Sequence, residues 1–380
     1  MEPIRVLQED VVLDRGGIEA LLMNVYRNID REQVQFDFMV HRPHQGDYEQ
    51  EVTDLGGKIY HTPGFNPVPP KYNSYKNAMI KVFTEHPEYK VLHAHTELNG
   101  WPLKFAAKCG IPTRIAHAHN AKSNLNLKYF FFRYEKLWLK KYCTDMFMCS
   151  TPAGNWFYGE ETVKKGNVKF IKNGIDTSVY KFSEQTRAQV RRELNAGEKI
   201  VFCHVGRFMQ QKNHRFLIDI FNEIHKKNPN TLLVMAGDGP DREACEEKAR
   251  NYNIYDSTRF LGVRKDVNRI LQGADLFLFP SLWEGLPLTA VEAQSAGLPI
   301  VMTDVITSEA IITKGVRTCS LSDSPEKWAD TALNLAQSYK RYDTQKEIIY
   351  AGFDIKETAK FLQDFYIDRT LRAREYEKNN

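Results

Sequence analysis

The chain has 380 residues, 42% of them hydrophobic and 26% charged, with a formal net charge of +4 at pH 7. That length exceeds what one core usually organises and predicts two domains of about 150–200 residues. So small a charge excess gives no ground for a nucleic-acid partner. The six cysteines, Cys109, Cys143, Cys149, Cys203, Cys245 and Cys319, form no C-x-x-C pair and no Cys/His group at zinc-ligand spacing, so no metal is expected. The opening residues MEPIRVLQED carry charge where a signal peptide carries its apolar run, and no segment approaches the roughly 20 apolar residues of a membrane-spanning helix. A reduced cytoplasmic protein is the expectation.

In chain order, residues 4–7 read as a short strand and Asp14-Arg15-Gly16-Gly17 as a glycine turn, after which Ile18, Leu21, Leu22 and Val25 recur at helical spacing. Further strands are predicted at 36–40, 58–60, 91–95 and 114–119, with helical patterns between them. The second half repeats the scheme at 199–206, 231–237, 258–261, 276–280 and 299–303. These near-continuous apolar runs fit strands buried on both faces. Such alternation predicts an α/β protein of two doubly wound, Rossmann-like domains, with ligands beyond the carboxyl ends of the strands. The boundary is placed between about 165 and 198, where Asn173-Gly174-Ile175-Asp176 signals a turn and residues 183–199 are polar.

The run 279–293 carries the most chemistry. It leaves a buried strand, turns at Gly285, and enters a helix with Pro287 in its first turn. Glu284 falls in the loop and Glu292 one to two turns into the helix, so both can face a ligand lying across the helix N-terminus. Free N–H groups there receive an anion, and carboxylates accept hydrogen bonds from sugar hydroxyls. A second strand-end loop, 206–214, brings Gly206, Arg207 and Lys212. Two cations fixed there would stabilise a departing diphosphate without a metal. Asp238 and Gly239 form another strand-end turn; this Gly-x-Gly lacks the third glycine of a dinucleotide fingerprint. His119 ends a predicted strand, and His117 shares its parity along that strand, so either could face a ligand.

The E-x₇-E pair Glu284 and Glu292, the G-R-x₄-K of Gly206, Arg207 and Lys212, and the N-G-I-D of 173–176 together resemble glycosyltransferase family 4. The resemblance covers essentially the whole chain, and its motifs are specific in combination. It implies the GT-B fold, with two domains facing across a cleft and the last helix crossing back to the first. Residues 1–172 with 357–380 would bind acceptor, and 173–356 would bind a nucleotide sugar, most simply a UDP-sugar. It implies retaining, metal-independent transfer without a cofactor. Glu284 would hold sugar hydroxyls, Glu292 the ribose, and Arg207 and Lys212 the diphosphate, helped by backbone amides from Gly285 through Leu286 to Leu288. Val263 and Arg264 would lie at the base. Gly16 and Gly17 would let backbone approach the diphosphate and acceptor, and His119 would stand near the transferred sugar. The role of Glu309 stays open. Glucose, galactose and their N-acetyl forms are not separated.

Residues 122–141 interleave Lys122, Lys128, Arg133, Lys136, Lys140 and Lys141 with Tyr129, Phe130, Phe131, Phe132, Tyr134 and Trp138. A basic-aromatic helix of this kind can lie on an anionic membrane surface, or can simply bury its aromatic face. The family resemblance implies exopolysaccharide or capsule assembly on a saccharide or polyprenyl-diphosphate-linked acceptor, at the inner face of the cell membrane. A GT-B sugar-nucleotide 2-epimerase and a non-catalytic nucleotide-sugar sensor are the alternatives.

Overall fold

The computed structural model of the protein describes residues 2–14, 16–96, 100–119 and 127–378. Arg15 of the glycine turn and residues 120–126, with the side chains of residues 127–133, lie outside that description. Two compact units form, one from Met1–Gly174 with Ile355–Asn380, the other from Ile175–Asp354.

The first unit holds seven strands: β1 (Ile4–Asp10), β2 (Val34–Val40), β3 (Ile59–His61), β4 (Val91–Ala94), β5 (Thr113–Ala118), β6 (Asp145–Met148) and β7 (Val168–Phe170). They pair in the order β3-β2-β1-β4-β5-β6-β7, all parallel. Both faces are covered by apolar side chains, which is why these strands read as continuous hydrophobic runs. One face receives the last helix, Ile355–Lys378, whose Ile355, Ala359, Leu362 and Tyr366 recur at helical spacing and are buried. It lies beside the helix Gly17–Asn28. The chain's end therefore completes the core of its beginning.

The second unit holds β8 (Ile200–Val205), β9 (Thr231–Ala236), β10 (Thr258–Phe260), β11 (Leu276–Phe279), β12 (Ile300–Thr303) and β13 (Val316–Cys319). Their order is β10-β9-β8-β11-β12-β13, again parallel throughout. Three strands escaped the sequence reading: β6, β7 and β13. Each has only three or four residues; β7 and β13 are sheet edges with exposed Lys169 and Arg317, so no apolar run marks those two. The polar stretch after 183 is also no linker. It holds the helix Glu184–Glu193, capped by Ser183, which buries Val190 and ties Arg187 and Arg191 to Asp275 at 2.6 and 3.0 Å.

Candidate functional site

Because the strands of each sheet run the same way, their carboxyl ends gather along one edge, and the loops leaving that edge carry the residues of interest. In the second unit three such loops interlock through backbone. Gly206 N–H donates to Ala236 O (3.0 Å), Phe208 N–H to Asp238 O (2.9 Å), and Gly237 N–H to Gly262 O (2.8 Å). Gly237 and Gly239 adopt φ of +139° and +152°, and a Cβ on them would lie 2.0 Å from Gly206 O and 2.4 Å from Phe208 O. The Gly-Asp-Gly turn is thus the seat on which the loop bearing Arg207 rests.

After β8 the chain makes a 3-10 turn, Gln210–Lys212, and leaves it through Asn213 in the left-handed region (φ 56°), from which the helix His214–Lys227 starts. Five contacts bind this turn to the loop after β11. Asn213 Nδ2 donates to Pro280 O (3.2 Å), and Leu282 N–H donates to Gln211 O (2.8 Å). Gln211 Nε2 donates to Trp283 O (3.0 Å) and to Glu284 Oε2 (3.2 Å). Lys212 Nζ meets Glu284 Oε1 at 2.7 Å, with side chains only 16% and 8% exposed. The sequence reading placed Lys212 on a diphosphate and Glu284 on a sugar as independent groups; in the structure each holds the other. Arg207 is exposed and has no hydrogen bond or ion pair among the described residues. Gln211 was missed, because nothing in its sequence neighbourhood shows that it braces Glu284 from the far loop.

Beyond Glu284, Gly285 and the buried Leu286 lead to Pro287, which precedes the helix Leu288–Ser295. Glu292 is the fifth residue of that helix. Burial raises its carboxyl pKa, and a hydrogen bond from the Tyr180 side chain partly offsets the rise. No hydrogen bond or ion pair among the described residues joins Glu292 to Glu284. Val263 is 66% exposed. Arg264 is forked onto Asp266 with both N···O distances 2.8 Å, so its guanidinium is engaged away from the Lys212–Glu284 pair. His204 and His214 lie beneath the Lys212 turn with ring centroids 4.7 Å apart. Burial lowers their pKa values to about 4 and about 2, with Lys212 adding to the effect, so both are neutral.

In the first unit Gly16 caps the helix Gly17–Asn28, its carbonyl accepting from Ala20 N–H at 3.0 Å. The Glu19 carboxylate folds back over it. A Cβ on Gly16 would sit 2.2 Å from Glu19 Oε2, whereas a Cβ on Gly17 would meet nothing within 4 Å. Asp10, ending β1, and Glu19 both have carboxyl pKa values raised chiefly by burial.

His119 lies one residue past β5, not within it. His117, the other candidate, is 1% exposed inside the sheet, its ring stacked on His93 at 5.2 Å. Strand pairing also brings together what spacing could not: ring nitrogens of His93, His95 and His117 lie within 4.8 Å of one another. They bond to each other and to neighbours. His93 Nε2 is 3.1 Å from His117 Nδ1, His95 Nδ1 is 2.9 Å from His119 Nε2, and His95 Nε2 is 2.9 Å from Gln8 Oε1. Burial pushes all four histidine pKa values down, that of His119 to about 3.

Residues 185–354 match the family model described as glycosyl transferases group 1, and residues 15–179 match that described as glycosyltransferase family 4. A Bacillus subtilis (strain 168) chain carrying the name glycosyltransferase EpsF is 31% identical over 95% of this chain and 96% of its own length. The capsular polysaccharide biosynthesis glycosyltransferase CapH of Staphylococcus aureus is 24% identical over 97% of this chain and 100% of its own. The Escherichia coli UDP-Gal:alpha-D-GlcNAc-diphosphoundecaprenol alpha-1,3-galactosyltransferase is 29% identical over 57% of this chain and 58% of its own. Among solved structures, Anabaena Alr3699/HepE in complex with UDP superposes with a TM-score of 0.72 at 17% identity, covering 99% of this chain and 100% of that one.

Proposed function

From the premise that the chain belongs to glycosyltransferase family 4 and has its GT-B fold, we propose that it transfers a sugar with retention from a UDP-sugar to a polyprenyl-diphosphate-linked saccharide in exopolysaccharide or capsule synthesis. Glycosyl transfer in polysaccharide biosynthesis follows from the relatives; donor, acceptor and stereochemistry are proposed. Support for UDP comes from the UDP complex of the Anabaena protein and the donor named for the Escherichia coli relative, which also names a diphosphoundecaprenol acceptor.

The observation that carries the reading is the edge of the second sheet, where Arg207, exposed and without a hydrogen bond or ion pair among the described residues, shares a loop with Lys212, itself paired with Glu284 of the next loop. An unpaired guanidinium suits a diphosphate, which it can bind in a fork. Glu284, held by Lys212 and Gln211, keeps lone pairs for sugar hydroxyls, and Glu292 is assigned to the ribose. The bond from the anomeric carbon to the β-phosphate oxygen breaks, and UDP leaves. The acceptor hydroxyl oxygen bonds to that carbon on the same face, passing its proton to the departing phosphate oxygen. Arg207 and Lys212 stabilise the developing charge, with no metal required.

UDP release from a panel of sugar nucleotides, with and without lipid-linked acceptor, tests the assignment. Release that no acceptor stimulates would sink it. The product's anomeric configuration by NMR tests retention, and chelator treatment tests metal independence. On the helix Leu127–Tyr142 the exposed Lys140 and Lys141 would meet an anionic membrane surface, whereas Lys136 Nζ donates to Trp156 O. No helix among the described residues is long and apolar enough to cross a membrane. Flotation with anionic liposomes should carry the protein upward, and a protein left at the bottom would remove membrane contact from the proposal.

A further inference from the structure

The four histidines in and one residue past β4 and β5 are joined to one amide on β1. The sheet register sets Gln8 beside His93 and His93 beside Ile115, so Gln8 and the histidines of both H-A-H runs share a sheet face. Gln8 is fully buried. Its two amide atoms face different partners: Oε1 lies 2.9 Å from His95 Nε2, and Nε2 lies 3.5 Å from the Tyr366 hydroxyl on the last helix. That hydroxyl is in turn 2.7 Å from His93 Nδ1.

Proton positions follow from these contacts. An amide oxygen only accepts, so His95 Nε2 carries the proton and donates. Buried imidazoles hold a single proton, so His95 Nδ1 is bare and accepts. His119 Nε2, 2.9 Å away, must then be the donor. With its one proton committed there, His119 is left with a bare Nδ1. That nitrogen is buried, has no hydrogen-bond partner among the described residues, and lies just past the carboxyl end of β5. On the other branch the Gln8 amide donates to Tyr366, Tyr366 donates to His93 Nδ1, and His93 Nε2–H donates to His117 Nδ1. Both branches run in one direction, and the Gln8 amide sets it.

We propose that Gln8 is a positioning residue which, through His95, locks His119 as the Nε2–H tautomer and leaves Nδ1 as the acceptor for a substrate hydroxyl. The tautomer assignment stands on this unit alone; its consequence for catalysis rests on the reading that His119 serves transfer. A bare imidazole nitrogen accepts a hydrogen bond from a hydroxyl, and the wrong tautomer would present an N–H in its place.

The test is ¹⁵N-histidine NMR of the full chain, with kinetics of UDP release. In the parent protein His119 should show a protonated Nε2 and a bare Nδ1. Gln8→Met removes the acceptor and should mix the tautomers of His95 and His119. It should lower kcat about 10-fold or more with donor KM within about 3-fold. Tyr366→Phe keeps the bond from His95 to Gln8 Oε1 and should leave the His119 tautomer as in the parent. An Nδ1–H tautomer in the parent, a Gln8→Met spectrum unchanged at His119, or Tyr366→Phe moving His119 as far as Gln8→Met does would overturn the proposal. So would a metal-bound nitrogen signature at His93, His95 or His117. A tautomer that moves while kcat stays fixed would overturn the catalytic consequence and place the fault in the role given to His119.

Discussion

Lys212 Nζ and Glu284 Oε1 meet at 2.7 Å across 72 residues of chain, joining the loop after β8 to the loop after β11. The pair is mostly buried, and Gln211 braces its carboxylate from the same turn. Charges so placed gain by pairing, and either one left alone would be costly. On the proposed reading the donor meets a pre-formed Lys–Glu unit and a separate Arg207 that no described residue engages.

The first expectation concerns coupling. Lys212→Ala and Glu284→Ala should each lower kcat/KM for the donor, and the double variant should lose less than the sum. The coupling free energy is expected at about 1–3 kcal/mol, as for residues in direct contact. A double-mutant cycle on UDP release measures it, and additive losses would mean the pair does not persist in the working enzyme.

Arg207 should behave differently. Its side chain is exposed and has no partner among the described residues, so Arg207→Ala should change folding stability by no more than about 0.5 kcal/mol. Activity should fall by about 100-fold if the guanidinium faces the leaving diphosphate. Denaturant titration beside steady-state kinetics reads both, and a destabilised variant would show that Arg207 has a structural partner.

Glu292 and Glu284 are assigned different tasks. Glu292→Ala should weaken UDP affinity by about 10-fold or more, the worth of a charged hydrogen bond, while Glu284→Ala should chiefly impair transfer. Since burial raises the Glu292 carboxyl pKa, UDP binding should weaken as pH falls through that raised value, where the carboxylate acceptor is lost. Calorimetry across the acidic range tests both points. UDP affinity indifferent to Glu292→Ala would remove the ribose assignment.

The histidine ladder predicts acid lability. His119 is held to a pKa of about 3 against 6.5 unfolded. A depressed folded pKa contributes stability that is complete above 6.5 and is lost as pH falls towards 3. The loss for His119 is about 1.4 kcal/mol per pH unit in that window, because the unfolded chain takes up the proton the folded one refuses. His93, His95 and His117 act in the same direction. Denaturant midpoints between pH 7.5 and 4.5 should fall accordingly, and His119→Asn should flatten the slope by one proton.

The glycine seat offers a purely steric check. Gly237→Ala places a Cβ about 2 Å from Gly206 O at a φ of +139°, which disfavours side chains. It should cost about 1–3 kcal/mol in backbone strain alone and should raise the donor KM by shifting Arg207. Stability and KM measured on one preparation decide it; a neutral variant would mean the two loops part readily.

Much of this was legible in the residues themselves. The buried strands β8, β9, β11 and β12 announce themselves as apolar runs ending in Gly, Pro or polar residues, because a parallel sheet covered on both faces demands such strands. The segment 279–293 and the loop 206–214 carry their motifs locally, so the family resemblance could be read before any geometry. Edge strands such as β13 were not legible, since an exposed edge needs no hydrophobic run.

What the sequence determined by itself, then, is the alternation of strand and helix, and with it the family, because both depend on patterns a few residues long. Only the tertiary structure decided the partners. That Lys212 pairs with Glu284 and that Gln8 reaches His95 are facts of strand order and register. A parallel sheet sets residues tens of positions apart side by side, and no local pattern records which of them will meet.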